Sequence, residues 1–500
     1  MKRSEKITTA DFKNLRIEDI ALMKTIGKVT KNLINTKAYT KDAILLKLDE
    51  IRENPEAFLQ DEAFSDIALA YQTLPAEKRL AMQKEEIHTL KPEIPTYTIF
   101  GREGIDDSAV NQMNTAMRLP VSIAGALMPD AHHGYGLPIG GVLATEVDKI
   151  IPFAVGVDIA CRMCLSVFEI EANYLDRYTQ KLKNMLQKNT CFGTGAGFDK
   201  PLDDDIWEQD AWNASKVIKN LRDKATKQIG SSGTGNHFVE WGVIEITQEP
   251  NEFGLPAGKY LALLSHSGSR GLGAGIAEYY SKLAMEKTKL PTEAKHLAWL
   301  DLNTQEGQEY WIGMNLAGDY ASANHHHIHR RMAKDLSIKP IKMIENHHNF
   351  AWKETLIDGT EVMVHRKGAT PANTEEIGII PGSMTKPGFV VRGKGFPASL
   401  ASASHGAGRL MSRSKAKQSF TKTQWDRALQ DEGVILIGGD LDEAPMAYKD
   451  IRQVMASQQE LVEVLATFYP KIVRMADPER GKPWDKKKKN KGGDLEFGES

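Results

Sequence analysis

Residues 260–287, YLALLSHSGSRGLGAGIAEYYSKLAMEK, decide how this chain folds. An apolar run (YLALLSH, 260–266) enters a glycine cluster (SHSGSRGLGAG, 265–275). Apolar residues then recur at three- and four-residue spacing (GIAEYYSKLAMEK, 275–287). That order predicts a buried strand, a tight loop and an amphipathic helix. The glycines do not fit GxGxxG, which argues against a dinucleotide-binding turn. The texture recurs through the body of the chain, where EVMVH (361–365), EIGIIPGS (376–383) and GVILIGG (433–439) read as strands running into glycine-rich loops. WIGMNLAGDYASANHHHIHRRMAKD (311–335) reads as a helix. The expected fold class is α+β, with buried β-sheets ending in glycine-rich loops.

Outside that body the texture changes. DAILLKLDEIREN (42–54) and FSDIALAYQTLPAEKRLAMQKEEI (64–87) carry helical spacing with few glycines. The last stretch, DPERGKPWDKKKKNKGGDLEFGES, has almost no apolar residues and reads as a mobile tail. The expected organisation is a helical extension over 1–90, one large α+β body over 91–475 and a polar basic tail over 476–500. Lys+Arg 64 against Asp+Glu 66 gives a net charge of −2, so any nucleic-acid binding must come from a local patch. The 3 cysteines cannot build a disulfide scaffold. MKRSEKITTADF (1–12) carries no apolar leader, and a cytoplasmic protein is expected.

Most of the 14 histidines sit in or beside glycine-rich loops. In order these are PDAHHGYGLPIGG (129–141), SSGTGNHFVEWG (231–242), SHSGSRGLGAG, ENHHNF (345–350), VHRKGATPAN (364–373) and SHGAGRLMSRSKA (404–416), joined by GVDIACRMC (156–164) and IIPGSMTKPG (379–388). A single histidine beside glycine is ordinarily a capped turn. Several loops that also hold Asp, Cys, Asn, Ser and Arg call for a common cause. Glycine lets backbone N–H groups approach phosphate, while His, Asp and Cys supply lone pairs, so the set points to a metal-and-phosphate site. GVDIAC is the sharpest piece, because one short turn can aim Asp158 and Cys161 at the same ion. Cys161-x-x-Cys164 has no second CxxC to make a zinc ribbon. GxxxxGK[ST] is absent, and KETLIDG (353–359) lacks the lysine that lysine-adenylating ligases use, so a nucleotidyl transfer here needs another nucleophile, plausibly histidine.

Taken together, PDAHHGYGLPIGG, GVDIAC, GTGNHFVE, HSGSRGLG, HHN, HRKGAT, PGSM and HGAGRxMSR resemble the RtcB family of RNA-splicing ligases over roughly 100 to 455. The resemblance implies an RNA ligase that uses GTP and two Mn²⁺ ions. Such an enzyme joins an RNA 3′-phosphate or 2′,3′-cyclic phosphate to a 5′-hydroxyl, in RNA repair or tRNA splicing. Carried over by position, Asp158, Cys161 and His237 hold one ion, and Cys161, His266 and His348 hold the other. His405 takes GMP, with Asp130 beside it, and Arg270, Lys367 and Arg409 face RNA phosphates. Asn236, His237, Phe238, Val239, Glu240, His348, Asn349, Pro381, Gly382, Ser383, Met384, His405, Gly406, Ala407 and Gly408 line the GTP site. The family often works with an activating partner, archease.

The chain departs from the family pattern in places. Arg162 stands where glycine is usual and is expected to add a cation beside the metals. Gly388 replaces a serine that helps read guanine, Pro371 stands where many members have arginine, and a lysine run replaces the usual lysine-glycine end. His132, His133, His347 and His365 are expected to shape loops. HHHIH (325–329) is read as a helix surface and DKKKKNK (485–491) as a solvated run. Two other functions fit the composition: a metal-dependent phosphatase or nuclease, and a non-catalytic RNA-binding relative. The former has no need of a nucleotide-accepting histidine in an HGAGR loop.

Overall fold

The computed structural model describes residues 6–76, 78, 79 and 87–478, and the chain divides into two compact units, residues 1–86 and 87–500. The first unit is helical, with helices Thr9–Asn14, Ile20–Asn35, Lys41–Glu53 and Ser65–Gln72. Thr8 and Asp11 form a reciprocal capping box, and Asp19 and Thr40 cap the next two helices. Leu22, Ile26, Ile44, Leu48, Ile51, Phe64 and Ile67 make a core of their own. The helix expected across 64–87 breaks after Gln72, since Pro75 disfavours the α conformation at Leu74. Residue 77, residues 80–86 and the lysine run at 485–491 lie outside the described residues.

The second unit is built on two main sheets. A five-stranded sheet runs in the order Thr98–Ile99, Ser122–His132, Ile139–Glu146, Glu361–Lys367, Asn349–Thr355. An eight-stranded, mainly antiparallel sheet runs Ile377–Ile380, Gly388–Gly393, Val462–Met475, Phe238–Ile246, Gly258–Ser267, Arg162–Glu171, Lys342–His347, with Ile435–Ile437 added parallel to the long 462–475 strand. Its two edges meet through one side chain. Asn346 Nδ2 donates to Ile379 O at 3.2 Å, and Asn346 Oδ1 accepts from Ile379 N at 2.9 Å, so the sheet is nearly closed. Alternation then separates an inside from an outside. Met163, Leu165, Val167, Ala262, Leu264, Ile244 and Phe468 pack within. Phe168, Val239, Trp241, Leu261 and Leu263 face outward against Ile328, Met332 and Leu336 of the long helix Gln305–Leu336.

The sequence-predicted strands at 260–266, 361–365, 376–383 and 433–439 coincide with observed strands, and the 275–287 helix lies within Arg270–Lys287. No helix among the described residues is long and apolar enough to cross a membrane. Because the 1–86 unit has its own core, we expect a chain lacking it to keep a cooperative thermal transition and its β-sheet circular dichroism. A truncated chain that is unfolded or melts without cooperativity would contradict two self-sufficient cores.

Candidate active site

The site is assembled around the 156–161 turn. Ala160 adopts φ +56°, a left-handed conformation that costs alanine roughly 1–2 kcal/mol. The surroundings hold it there. Ala160 N donates to Asn349 O at 2.7 Å, Cys161 N to Asp158 O at 3.2 Å, and Asn349 Nδ2 to Asp158 O at 3.2 Å. Asp158 and Cys161 therefore point to one place. A side chain at Gly268 would collide with the Asp158 carboxylate, so this loop position has to be glycine.

Imidazoles from three other segments converge on that turn. Cys161 Sγ lies 3.0 Å from His266 Nε2 and 3.5 Å from His237 Nε2. His237 Nε2 is 2.9 Å from Asp158 Oδ2, and His266 Nε2 is 3.3 Å from His348 Nε2. A backbone carbonyl only accepts, so the 3.2 Å contact of His266 Nδ1 with Asn236 O makes Nδ1 the donor. The His266 lone pair is thereby aimed at Cys161, the orientation that outer partners give to metal-binding histidines. Burial holds His266 and His348 well below the usual imidazole range, reinforced by neighbouring imidazoles, so both rings are neutral. Burial pushes Asp158 upward, but the bond and charge of His237, with the Cys161 bond and the His266 charge, together bring its carboxyl below the ordinary value. His237 Nδ1 and His348 Nδ1 are buried with no hydrogen-bond partner among the described residues. So many lone pairs this close are stable only with protons or cations between them, and a thiol, three imidazoles and a carboxylate fit divalent transition metals.

His405 stands beside this cluster, with ring centroids of His348 and His405 4.9 Å apart. Its Nδ1 is 2.7 Å from Asp130 Oδ2, which also accepts from the His405 backbone N at 3.2 Å. Burial raises the Asp130 carboxyl, yet the His405 bond, with the Lys449 and His132 charges, keeps it below its ordinary value. The ring therefore carries its proton on Nδ1 and leaves Nε2 as a free lone pair. Gly408, at φ +71°, is required because a Cβ there would strike the Asp130 carbonyl. Next to His405 is a narrow pocket of about 70 Å³, walled by Asn236, Phe238, the 381–384 loop and the 405–408 loop. Its wall residues His132, Ile139 and Arg409 also border an open cleft of about 970 Å³ that holds Lys367, Arg413, Lys415 and Lys449.

The remaining expected residues fall into distinct places. Phe238 lines the pocket, whereas Val239 points outward into the core with Trp241 and Leu261. Glu240 is buried on the strand, and burial pushes its carboxyl well up. Asn349 braces the turn and accepts from Gly368 N at 2.8 Å. Lys367 donates to Tyr135 O, and burial brings its ammonium down to about 7. Arg270 lies behind the 231–237 loop, with Nη2 2.6 Å from Gly193 O and Nε 3.2 Å from Ser231 Oγ. Arg409 is held by Asp442 O at 2.6 Å and Glu443 Oε2 at 3.3 Å. His365 does shape loops: Nε2 accepts from Ile151 N at 2.9 Å while Nδ1 donates to Leu143 O at 3.2 Å.

Two expectations are corrected. Arg162 adds no cation beside Cys161. The next residue on a strand faces the other way, and its guanidinium lies 3.1 Å from Glu345 and 2.9 Å from His347 Nδ1. HHHIH is not a helix surface either, since His325, His327 and His329 are buried and only His326 is open. The sequence reading also missed Glu443 and Tyr448, which line the pocket and bond each other and Arg409. Neither sits in a glycine-rich loop, so nothing in the spacing singled them out.

Comparison with known proteins agrees on one family. The family model described as tRNA-splicing ligase RtcB matches residues 112–476. The RNA-splicing ligase RtcB1 of Escherichia coli is 35% identical over 391 residues, covering 72% of this chain and 92% of that protein. The tRNA-splicing ligase RtcB of Methanococcus maripaludis is 32% identical over 426 residues, with 70% and 88% covered. That of Nanoarchaeum equitans is 30% identical over 435 residues, with 74% and 91% covered.

Cys161 is the shared element of the cluster, and the site lies in loops rather than in a hydrophobic core. Cys161→Ala is expected to lose most Mn²⁺ uptake in calorimetric titration while the melting temperature moves by only a few degrees. Unchanged uptake would show that the thiol is not a ligand.

Proposed function

The chain belongs to the RtcB family of RNA-splicing ligases, and from that premise we propose that it joins RNA 3′-phosphate or 2′,3′-cyclic phosphate ends to 5′-hydroxyl ends, using GTP and Mn²⁺. One observation carries the reading: His405, its Nδ1 proton held by the buried Asp130, presents Nε2 beside a pocket and a metal-competent cluster.

His405 Nε2 attacks the α-phosphorus of GTP, forming an N–P bond as the bond to pyrophosphate breaks. The ring gains positive charge in that step, and the Asp130 carboxylate stabilises it without taking the proton. Asp130 is ready to do so because, against the burial that raises it, the His405 bond and the Lys449 charge hold its carboxyl below the ordinary value. GMP then passes from His405 to the RNA 3′-phosphate. The resulting activated end is attacked by the 5′-hydroxyl, and GMP leaves. Asp158, Cys161 and His237 would hold one Mn²⁺, and Cys161, His266 and His348 the second. Bound there, the ions neutralise phosphoryl charge beside His405. The thiol-and-imidazole donor set suits Zn²⁺ as well, so the choice of Mn²⁺ rests on the family. The cleft with Lys367, Arg413, Lys415 and Lys449 supplies cations for RNA phosphates.

The direct test is joining of a 3′-phosphate RNA fragment to a 5′-hydroxyl fragment. Wild-type protein with GTP and Mn²⁺ is expected to join them, and His405→Asn is expected to give no product. Joining by the variant, or none by the wild type, would overturn the reading. Nucleotide choice follows from Gly388, which lacks the hydroxyl the family uses on guanine. Losing one neutral hydrogen bond of about 0.5–1.5 kcal/mol relaxes base selection by roughly 2- to 13-fold. With GTP and ATP in competition, GTP is expected to dominate but an ATP-derived product to be detectable. Exclusive use of GTP would show that other residues supply the missing contacts.

A further inference from the structure

The buried face of HHHIH lies against the same strands that carry the catalytic thiol, but on their opposite side. On the strand Arg162–Glu171, Met163 and Leu165 point into the nearly closed sheet, whereas Cys164 and Ser166 point out toward the helix Gln305–Leu336. On its partner strand, His266 joins the catalytic cluster while Ser265 faces His325 and His329. His329 follows His325 by four positions, so one helix face presents both rings to Cys164. The ligand atoms of Cys164, His325 and His329 all lie within 4.8 Å of one another, and all three residues are buried.

We propose that Cys164, His325 and His329 form a second metal site, separate from the catalytic cluster, that takes Zn²⁺ and pins the long helix to the outer face of the sheet. Three features carry this. The donors are one sulfur and two imidazoles with no carboxylate among them, a set that selects Zn²⁺ over Mn²⁺ or Mg²⁺. The far nitrogen of each ring is anchored: His325 Nε2 donates to Ser267 O at 3.1 Å, and His329 Nδ1 contacts Ser166 Oγ at 2.7 Å. Such outer partners orient metal-binding histidines. The near nitrogens converge, since Ser265 Oγ lies 2.6 Å from His325 Nδ1 and 2.8 Å from His329 Nε2. Ser265 Oγ is placed to complete four-coordination. On binding, the Cys164 S–H proton is released to solvent as the S–Zn bond forms. His329 then keeps its proton on Nδ1, donated to Ser166, and gives its Nε2 lone pair to the ion. The competing account is a self-contained hydrogen-bond network in which Ser265 donates to His325, His329 donates to Ser265, and Ser166 donates to His329.

Cobalt loading of the full-length protein separates the two. In Cys161→Ala, where the catalytic thiol is gone, Co²⁺ is expected to give thiolate-to-cobalt charge-transfer absorption and the visible bands of a tetrahedral ion, both displaced by Zn²⁺. Adding Cys164→Ser is expected to abolish the charge-transfer band, and His325→Gln provides the same reading through the helix should the serine variant not fold. Zn²⁺ is also expected to raise the melting temperature of Cys161→Ala but not of the Cys164→Ser double variant. No charge-transfer band in Cys161→Ala, or a band that survives removal of Cys164, would overturn the site in favour of the hydrogen-bond network.

Discussion

The catalytic geometry depends on the backbone turn at 156–161. Ala160 is held at φ +56°, and the bonds that hold it come from Asn349, the residue after His348. The His348 backbone N in turn donates to Cys161 O at 3.0 Å. One pair of segments therefore fixes the carboxylate, the thiol and an imidazole together, and left-handed strain at a single alanine is a small cost against that gain. Releasing the turn would separate Asp158 from Cys161 and leave three buried imidazoles facing one another without a shared partner.

Strand alternation accounts for much of what surrounds the turn. Cys161 and His266 face the thiol–imidazole cluster, while Arg162, Cys164 and Ser265 face the side covered by the 305–336 helix. The 305–336 helix covers the back of the strands with an apolar patch at Ile328, Met332 and Leu336 and a polar one at His325 and His329. Burying imidazoles and a thiol costs free energy unless every polar atom has a partner. Serines at 166, 265 and 267 are those partners.

What could be read from the sequence reflects range along the chain. Strand–glycine–helix texture is local, and it located the strands at 260–266 and 361–365 and the helix after Arg270. Loops dense in His, Gly, Asp and Cys marked the cluster, because that composition is unusual wherever it occurs. Facing was less legible. Arg162 and Val239 sit one residue from functional neighbours, and alternation turns them away, a fact that depends on knowing where each strand begins. HHHIH looked like a solvated face because a polar run on a helix usually is one. Its burial follows from the pairing of distant strands beneath it. Glu443 and Tyr448 reach the pocket through tertiary packing alone, from short 3₁₀ turns with no motif of their own.

We propose that His405 carries the nucleotide, with Asp130 fixing which nitrogen is free. Peptide mapping by mass spectrometry, after incubating wild-type protein with GTP and Mn²⁺ in the absence of RNA, tests this most directly. The predicted result is a single acid-labile GMP adduct on the peptide containing His405, discharged when a 3′-phosphate RNA is added. A GMP adduct on another residue, or GTP consumption with His405 unmodified, would contradict it.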